Sequence, residues 1–143
     1  MKKHSLIHAG VAEHNPHQYN VVIGTELGQF SGTVVCRPED EEYESKFFGF
    51  ELAEIKAEIE YARAKRKECL AKIKGATEFW REMAETRNYD QNAFWVKKMR
   101  EKVDKYQLQF EFWCERIDYL KSAYHLKIMN FDNAKRTRRE FGL

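Results

Sequence analysis

The sequence predicts an α+β fold, in which an N-terminal β-hairpin or small antiparallel sheet precedes a long antiparallel helical hairpin that packs as an oligomeric helical bundle. Apolar residues between Phe48 and Phe131 recur at alternating steps of three and four, which is the spacing of a coiled-coil seam. Turn-forming residues at 86–92 divide this stretch into two helices. Two β-branched runs precede it, and a short glycine-containing connector between them is typical of a β-hairpin.

The composition is typical of an elongated protein with a large charged surface. The chain has 143 residues, and we predict a single domain over residues 1–143. Hydrophobic residues make up 43% and charged residues 34%, while the mean hydropathy is -0.75. An elongated protein with a narrow apolar seam and a large charged surface would have both this hydrophobic content and this low mean hydropathy. The net charge of +2 provides no general basic field for nucleic acid, so a nucleic-acid contact would require a local cluster.

The three cysteines, Cys36, Cys69 and Cys114, favour a reducing compartment. Their number is odd and no pair has C-x-x-C spacing, so we predict free thiols. No apolar run of signal-peptide length follows the basic N-terminus, and no window approaches the ~18 apolar residues of a membrane span. We therefore expect a soluble cytoplasmic protein without a membrane partner.

Residues 1–18 are predicted to form a polar lead-in. They contain four of the five histidines, namely His4, His8, His14 and His17. Clustered histidines are typical of metal sites, but here the spacing is irregular and Glu13 is the one acidic or thiol neighbour. We therefore predict no metal and no other cofactor.

Residues 19–37 are predicted to form the β-hairpin. Its strands are Tyr19–Thr25 and Phe30–Cys36, joined by the connector Glu26–Gln29. The run Ser5–Val11 can add a third strand. Because an isolated two-stranded hairpin is marginally stable in water, it has to pack against the helices or against a second copy of the chain.

Helix one is predicted over residues 39–87. Pro38 ends the preceding strand, and the acidic run that follows suits the N-terminal end of a helix. Gly49 lies among phenylalanines that we place at the joint between sheet and helix, so a start near Glu39 and a start after Gly49 both stay open. The predicted seam comprises Leu52, Ile55, Ile59, Ala62, Arg66, Cys69, Ile73, Ala76, Trp80 and Met83.

Arg66 is the charged member of this seam. A turn near residues 88–90 places it opposite Phe110 and Trp113 of the second helix. A guanidinium over an aromatic ring contributes about 0.5–2 kcal/mol. We therefore interpret Arg66, Phe110 and Trp113 as residues that fix the register of the two helices, ahead of any role in binding a ligand.

Helix two is predicted over residues 92–131, with Asp90 or Asn92 as its N-cap. Its seam comprises Val96, Met99, Val103, Tyr106, Phe110, Trp113, Ile117, Leu120 and Tyr124. A second apolar line comprises Leu108, Phe112, Tyr119, Ala123 and Leu126. One antiparallel partner cannot cover both lines, so we predict that the protein pairs with itself as a homodimer or a larger oligomer.

Residues 132–143 form a predicted basic tail. Four of the five residues from Lys135 to Arg139 are cations. Arg136, Arg138 and Arg139 can form a phosphate-binding group, because the guanidinium fork matches phosphate oxygens. The alternative is a solvated helix end, where cations complement the helix dipole.

The motifs of common enzyme classes are absent from the sequence. It contains no glycine-rich phosphate loop, no H-E-x-x-H and no G-x-S-x-G. Its carboxylates lie on charged faces of the predicted helices, and nothing marks a catalytic pair. We therefore predict that the protein is not an enzyme and has no catalytic residues.

The segment Gly28–Asp40 joins G-x-F-x-G to C-x-P-E-D. Followed by a charged helical hairpin, this segment resembles small proteins encoded by phages and prophages. Over most of the chain, the layout is similar to that of the first anti-Thoeris family, which has an N-terminal antiparallel sheet and two long C-terminal helices. That family assembles through its helices and sequesters a cyclic ADP-ribose-type immune signal without cleaving it.

The resemblance implies a non-enzymatic anti-defence protein that binds a cyclic nucleotide in the host bacterial cytoplasm. Its family binds the phosphates with arginines and the adenine with an aromatic ring. The residues that the resemblance implies for the phosphates are Arg136, Arg138 and Arg139. Those that it implies for the stacking surface are Phe94 or Trp95, beside Asn92.

Other functions fit a small phage protein of this layout. A protein-binding inhibitor of a host defence protein, such as an anti-CRISPR, would use the helical surface to bind its partner. A helical structural or interaction protein would do the same without inhibiting anything. A nucleic-acid binder would use the arginine tail, but the small net charge counts against it.

Overall fold

The computed structural model describes residues 4–86 and 94–142. Three strands come first: β1 (Ser5–Ala12), β2 (Asn15–Thr25) and β3 (Gly28–Val35). A 3₁₀ helix (Pro38–Tyr43) and two long helices, α1 (Lys46–Thr86) and α2 (Phe94–Phe141), follow. The predicted α+β class is confirmed, since an antiparallel sheet precedes two long helices.

The sheet has three strands, in the order β1-β2-β3. The predicted polar lead-in, residues 1–18, instead contains β1 and the start of β2. β1 pairs antiparallel with β2, with Leu6 opposite Ile23 and Val11 opposite Tyr19. The run Ser5–Val11, which the sequence suggested as a third strand, therefore lies in β1 and pairs with β2 at the edge of the sheet.

Both helices depart from their predicted bounds. α1 begins at Lys46 and not at Glu39, because Pro38 and the acidic run first form the 3₁₀ helix. Gly49 does not break α1 but lies within its first turns. α2 continues through the predicted basic tail to Phe141. Neither helix has the length and apolar character, within the described residues, to cross a membrane.

The chain divides into two compact units, and the single domain stays a prediction. The first unit contains the residues up to Tyr61 and those from Ile117 onward, and so includes the sheet, the 3₁₀ helix, the start of α1 and the end of α2. The second unit is Ala62–Arg116, which supplies the remaining parts of α1 and α2.

Alternate residues of β2 form the core of the first unit. Tyr19, Val21 and Ile23 are buried, and their neighbours on the strand are more exposed. This period of two puts one face of the sheet against α1. α1 meets that face with a line of small residues spaced one turn apart, Gly49, Ala53 and Ala57.

Two glycines allow the sheet and α1 to approach each other closely, one against backbone atoms and one against an aromatic ring. A Cβ atom on Gly32 of β3 would lie 2.0 Å from the carbonyl oxygen of Ala53. A Cβ atom on Gly49 would lie 2.5 Å from the ring of Tyr19. Tyr19 also packs edge-on against Phe50, with ring centroids 5.3 Å apart. The phenylalanines around Gly49 thus lie at the joint between sheet and helix, as the sequence indicated.

Within the first unit, α1 and α2 pair in antiparallel fashion. The rings of Phe48 and Phe131 stack with centroids 5.0 Å apart. Further along α1, Glu51 lies 3.3 Å from Lys127, and Lys56 lies over the ring of Tyr124 at 5.5 Å. Residues later in α1 therefore contact residues earlier in α2, which is the antiparallel arrangement. The seam residues Leu52, Ile59, Ile117 and Leu120 are buried here.

The second unit has the same antiparallel pairing between α1 and α2. Lys72 lies over Tyr106 at 5.6 Å, and Arg100 lies over Trp80 at 5.7 Å. The predicted seam residues Ala62, Cys69 and Val96 are buried in this unit. The helical hairpin is therefore present in each unit with the predicted seam inside.

Lys65, the neighbour of Arg66, lies over the Trp113 ring, with its Nζ 5.9 Å from the ring centroid. Arg66, Phe110 and Trp113 are all half-buried. Their role in fixing the register stays a prediction.

Candidate ligand-binding site

A cleft of about 200 Å³ opens in the first unit, between the end of β3, the 3₁₀ helix and the two long helices. Its wall is mostly apolar and comprises Tyr19, Val34, Val35, Phe48, Leu52, Tyr124, Ile128 and Phe131. Arg37, Asp40 and Glu44 add charged groups. Pockets for drug-sized ligands measure about 300–1,000 Å³. The cleft can therefore hold a small apolar group but not a whole nucleotide.

Glu44 anchors one group of polar side chains at the cleft. The Tyr19 hydroxyl donates a hydrogen bond to Glu44, and Nδ1 of His17 lies 2.8 Å from its other oxygen. The hydrogen bonds from Tyr19 and His17 hold the pKa of Glu44 below its ordinary value, although burial opposes them. The bond to Glu44 also raises the pKa of His17. Glu44 is thus an engaged anion and not a proton acceptor for a ligand.

Asp40 anchors a second group. It is the buried charged residue of the core, at 3% exposure, and accepts hydrogen bonds from Lys135 and from Nε of Arg37 at 2.6 Å. Arg37 also donates to Asp132 at 3.0 Å. Burial alone would raise the pKa of Asp40, but the bonds from Lys135 and Arg37 outweigh it and lower that pKa. Asp40 thereby ties the 3₁₀ helix to α2, and it engages Lys135.

Cys36 lies beside these carboxylates in the same cleft. Burial raises the pKa of its thiol, and the negative charges of Glu44 and Asp40 raise it further. A thiol that stays protonated is a poor nucleophile. The cleft therefore combines a thiol whose pKa is raised with carboxylates already bound by other side chains.

The predicted phosphate group lies at the end of α2 and is helical. Arg136, Arg138 and Arg139 are all exposed. Arg139 lies over the ring of Tyr43, with its guanidinium carbon 5.9 Å from the centroid. Arg138 lines a shallow depression of about 180 Å³ together with Tyr43, Ser45, Phe131, Ala134 and Lys135.

The three arginines do not converge on one point. Successive residues of an α-helix are rotated by about 100°. Arg136 therefore lies about 160° around α2 from Arg138 but only about 60° from Arg139. Arg138 and Arg139 are the two that the structure places beside Tyr43. The structure thus brings two of the three predicted arginines to an aromatic ring that the sequence reasoning did not select.

The predicted stacking residue Phe94 belongs to the second unit, whereas the three arginines belong to the first. Phe94 is 74% exposed and is the first residue of α2, whereas the arginines lie in its last turns. Lys98 lies over the Phe94 ring at 5.2 Å. Asn92 and the side chain of Trp95 lie outside the described residues.

The second apolar line of α2 is largely exposed. In the first unit, Tyr119 is 62% exposed and Leu126 is 57% exposed, while Ala123 is half-buried. Met129 extends this line at 55% exposure. In the second unit, Leu108 and Phe112 are exposed at 68% and 55%. Four of the five residues that the sequence assigned to a further helical neighbour are therefore more than half exposed in the single chain.

Comparison of the chain with protein-family models, with curated proteins and with solved structures finds no match.

Proposed function

We propose that this protein is a non-enzymatic phage anti-defence protein that sequesters a nucleotide immune signal of the cyclic ADP-ribose type in an oligomeric helical scaffold in the host cytoplasm. The observation that carries the proposal is the position of Arg138 and Arg139 beside the ring of Tyr43. The order of a sheet and two long helices also supports it. That order is the one implied by the resemblance to the first anti-Thoeris family.

The side chains at the end of α2 suit the two parts of a nucleotide. Arg138 and Arg139 can donate paired hydrogen bonds to phosphate oxygens. The Tyr43 ring can stack on the base, and stacking of this kind contributes about 1–3 kcal/mol per base. The C-terminal end of a helix carries partial negative charge, so a phosphate can bind here only because several cations surround it.

The size of the depression favours a site completed by a second copy of the chain. The depression measures about 180 Å³, and pockets for drug-sized ligands start at about 300 Å³. The exposed line Tyr119, Leu126 and Met129 lies on the same helix and the same unit as the arginines. A protomer that covers this line would bring its own surface close to the end of α2.

Replacing Arg138 and Arg139 together by alanine should weaken nucleotide binding by about 100- to 10,000-fold, since each of the two lost charged hydrogen bonds contributes about 1.5–3 kcal/mol. The probes are cyclic ADP-ribose isomers, ADP-ribose and cyclic oligonucleotides, each added to the purified protein while the melting temperature is followed. A hundredfold excess over the dissociation constant should stabilise the wild type by about 2.7 kcal/mol.

Two further comparisons locate this site. Lys121→Ala removes an exposed cation elsewhere on α2 and should leave binding unchanged. Tyr43→Leu should weaken binding while Phe94→Leu should not, because Tyr43 lies beside the arginines. No stabilisation by any of the nucleotides would refute the sequestration proposal.

Replacing Leu126 and Met129 together by glutamate should convert the oligomer to a monomer. Both side chains are more than half exposed in the single chain, and buried like charges at an interface cost several kcal/mol. Molar mass from light scattering on a sizing column measures the change. The matched control Asn130→Glu adds a charge to an exposed neighbour and should leave the mass unchanged. A wild type that is already monomeric at high concentration would contradict the prediction.

The exposed apolar line of α2 also supports a second candidate function, that of a protein-binding inhibitor of a host defence effector. Isolated proteins rarely expose a contiguous apolar face unless it binds something. The two candidates differ in the occupant of this face. A monomer that binds none of the nucleotides but forms a complex with a purified effector through Leu126 would favour the inhibitor.

A further inference from the structure

Three side chains with metal-binding atoms converge in the first unit, away from the end of α2. His4 immediately precedes β1, while Glu54 and Glu58 lie one turn apart on α1. Nε2 of His4 is 3.2 Å from Oε1 of Glu54 and 3.4 Å from Oε1 of Glu58. One ligand atom from each residue lies within 4.8 Å of the other two.

We propose that His4, Glu54 and Glu58 form a binding site for a divalent transition-metal ion, with Zn²⁺ as the best fit. Zn²⁺ binds histidine nitrogen at about 2.0–2.1 Å and carboxylate oxygen at about 2.0–2.2 Å. Around a tetrahedral ion at such distances, neighbouring ligand atoms are about 3.4 Å apart. The two distances from the His4 nitrogen match this edge length, so a small movement of the Glu side chains would close the site.

The three side chains are held in place before any ion binds. The His4 side chain is 9% exposed, that of Glu58 15% and that of Glu54 26%. Glu54 and Glu58 are four residues apart, so they share one face of α1. The helix fixes the spacing of the two carboxylates, and burial limits the positions open to the imidazole. A site with this little freedom loses little entropy when it binds an ion.

The ligand types select the class of ion. Ca²⁺ takes six to eight oxygen ligands, and Mg²⁺ prefers an octahedron of oxygens and water, whereas an imidazole suits Zn²⁺ and its neighbours among the transition metals. Two carboxylates balance the charge of a divalent ion. Three protein ligands also leave one position of a tetrahedral ion for a water molecule.

The other histidine–carboxylate group of the first unit provides an internal comparison. His17 presents Nδ1 to Glu44 at 2.8 Å and Nε2 to Glu41 at 3.5 Å. The two ring nitrogens point in divergent directions, so one ion cannot bind the ring and both carboxylates. His4 differs because the same nitrogen meets both of its partners.

An ion at this position would connect the N-terminal edge of the sheet to α1. β1 is the most exposed strand, with Leu6 at 59% and Ile7 at 50% exposure, and it lies at the edge of the sheet. The ion would therefore stabilise β1 more than any other element. This proposal is independent of nucleotide binding, since the site shares no residue with the end of α2.

The test is a Zn²⁺ titration of the full chain against a coloured chelator that competes for the ion. We expect one tight site per chain, and a Co²⁺-loaded sample with the visible absorption of a four-coordinate ion. His4→Ala and Glu58→Gln should each weaken binding by more than the ~10- to 100-fold lost when only an outer partner of a metal ligand is removed. Glu58→Gln keeps the shape of the side chain, so it reports on the ligand even if His4→Ala disturbs the strand.

Matched controls separate this site from the other histidines. His8→Ala removes an exposed histidine of β1, and His17→Ala removes the one paired with Glu44; both should bind Zn²⁺ like the wild type. Circular dichroism checks that each variant is folded. The proposal is overturned if the wild type binds no Zn²⁺, if folded Glu58→Gln binds as tightly as the wild type, or if His17→Ala abolishes binding.

Discussion

Gly32→Ala should destabilise the protein by about 3 kcal/mol or more, the upper range for overpacking a core. The added methyl carbon would lie 2.0 Å from the carbonyl oxygen of Ala53 and 2.7 Å from the amide nitrogen of Ala57. Both obstacles are backbone atoms of α1, so no side-chain rotation can relieve the overlap. The strand would have to move away from the helix, which would open the core around Val21 and Ile23. Chemical denaturation followed by circular dichroism measures the loss.

Gly75→Ala is the matched control, because it adds the same methyl group inside α1. No atom lies within 4 Å of the position that this carbon would occupy. Glycine in the middle of a helix costs roughly 0.5–1 kcal/mol relative to alanine. The same chemical change should therefore stabilise the protein by about that amount. Equal melting of the two variants would mean that β3 and α1 do not touch through their backbones.

Asp40→Asn should cost about 3 kcal/mol, near the lower end of the loss for breaking a buried ion pair. The change leaves Lys135, whose side chain is 15% exposed, with only its longer contact to Asp132 at 3.9 Å. Arg37 is half exposed and keeps its ion pair with Asp132, so water and that carboxylate replace the hydrogen bond to Asp40 that it loses. A double variant, Asp40→Asn with Lys135→Met, should lose less than Asp40→Asn alone because it also removes the largely buried lysine that has lost its short ion pair. Urea denaturation of the single and double variants measures both differences.

The pH dependence provides an independent check on Asp40. Its folded-state pKa lies below its ordinary value, so its stabilisation is complete above that ordinary value and is lost as the pH falls through the folded-state pKa. The wild type should therefore lose stability more steeply than Asp40→Asn below about pH 4. Glu39→Gln, which removes an exposed carboxylate 3.9 Å from Arg37, should follow the wild type. Parallel curves for the wild type and Asp40→Asn would exclude this role.

The helical hairpin could be predicted from the sequence because its signal is periodic and long. Leu52, Ile59, Ile117 and Leu120 recur at the spacing that buries them, and they are buried. The helix ends were less predictable. Pro38 and the acidic residues after it satisfy the first turn of an α-helix and a 3₁₀ helix equally well, and the sequence does not distinguish the two. Gly49 looked like a break, but it is needed inside α1 by the close approach of the Tyr19 ring.

The candidate sites depend on contacts between residues far apart in the sequence. Arg138 and Arg139 stood out by charge density, but their aromatic neighbour Tyr43 is almost a hundred positions earlier, in a run that looked merely acidic. His4 stood out as one of four histidines near the N-terminus, and the irregular spacing of these histidines counted against a metal site. The missing ligands, Glu54 and Glu58, lie on a helix where charged residues are common. A pair of glutamates four residues apart was the one available signal, and it is too frequent on helices to indicate a metal by itself.

The bond from Lys135 to Asp40 can form only after nearly the whole chain has been synthesised. Lys135 and Asp40 are 95 residues apart in the sequence. During synthesis from the N-terminus, the sheet and the 3₁₀ helix emerge long before the part of α2 that completes their unit. Until then Asp40 has no lysine partner, and the cleft wall contributed by Phe131 is missing. The contacts of Ala62–Arg116 are more local, so this hairpin can form first and shorten the loop that the last contacts must close.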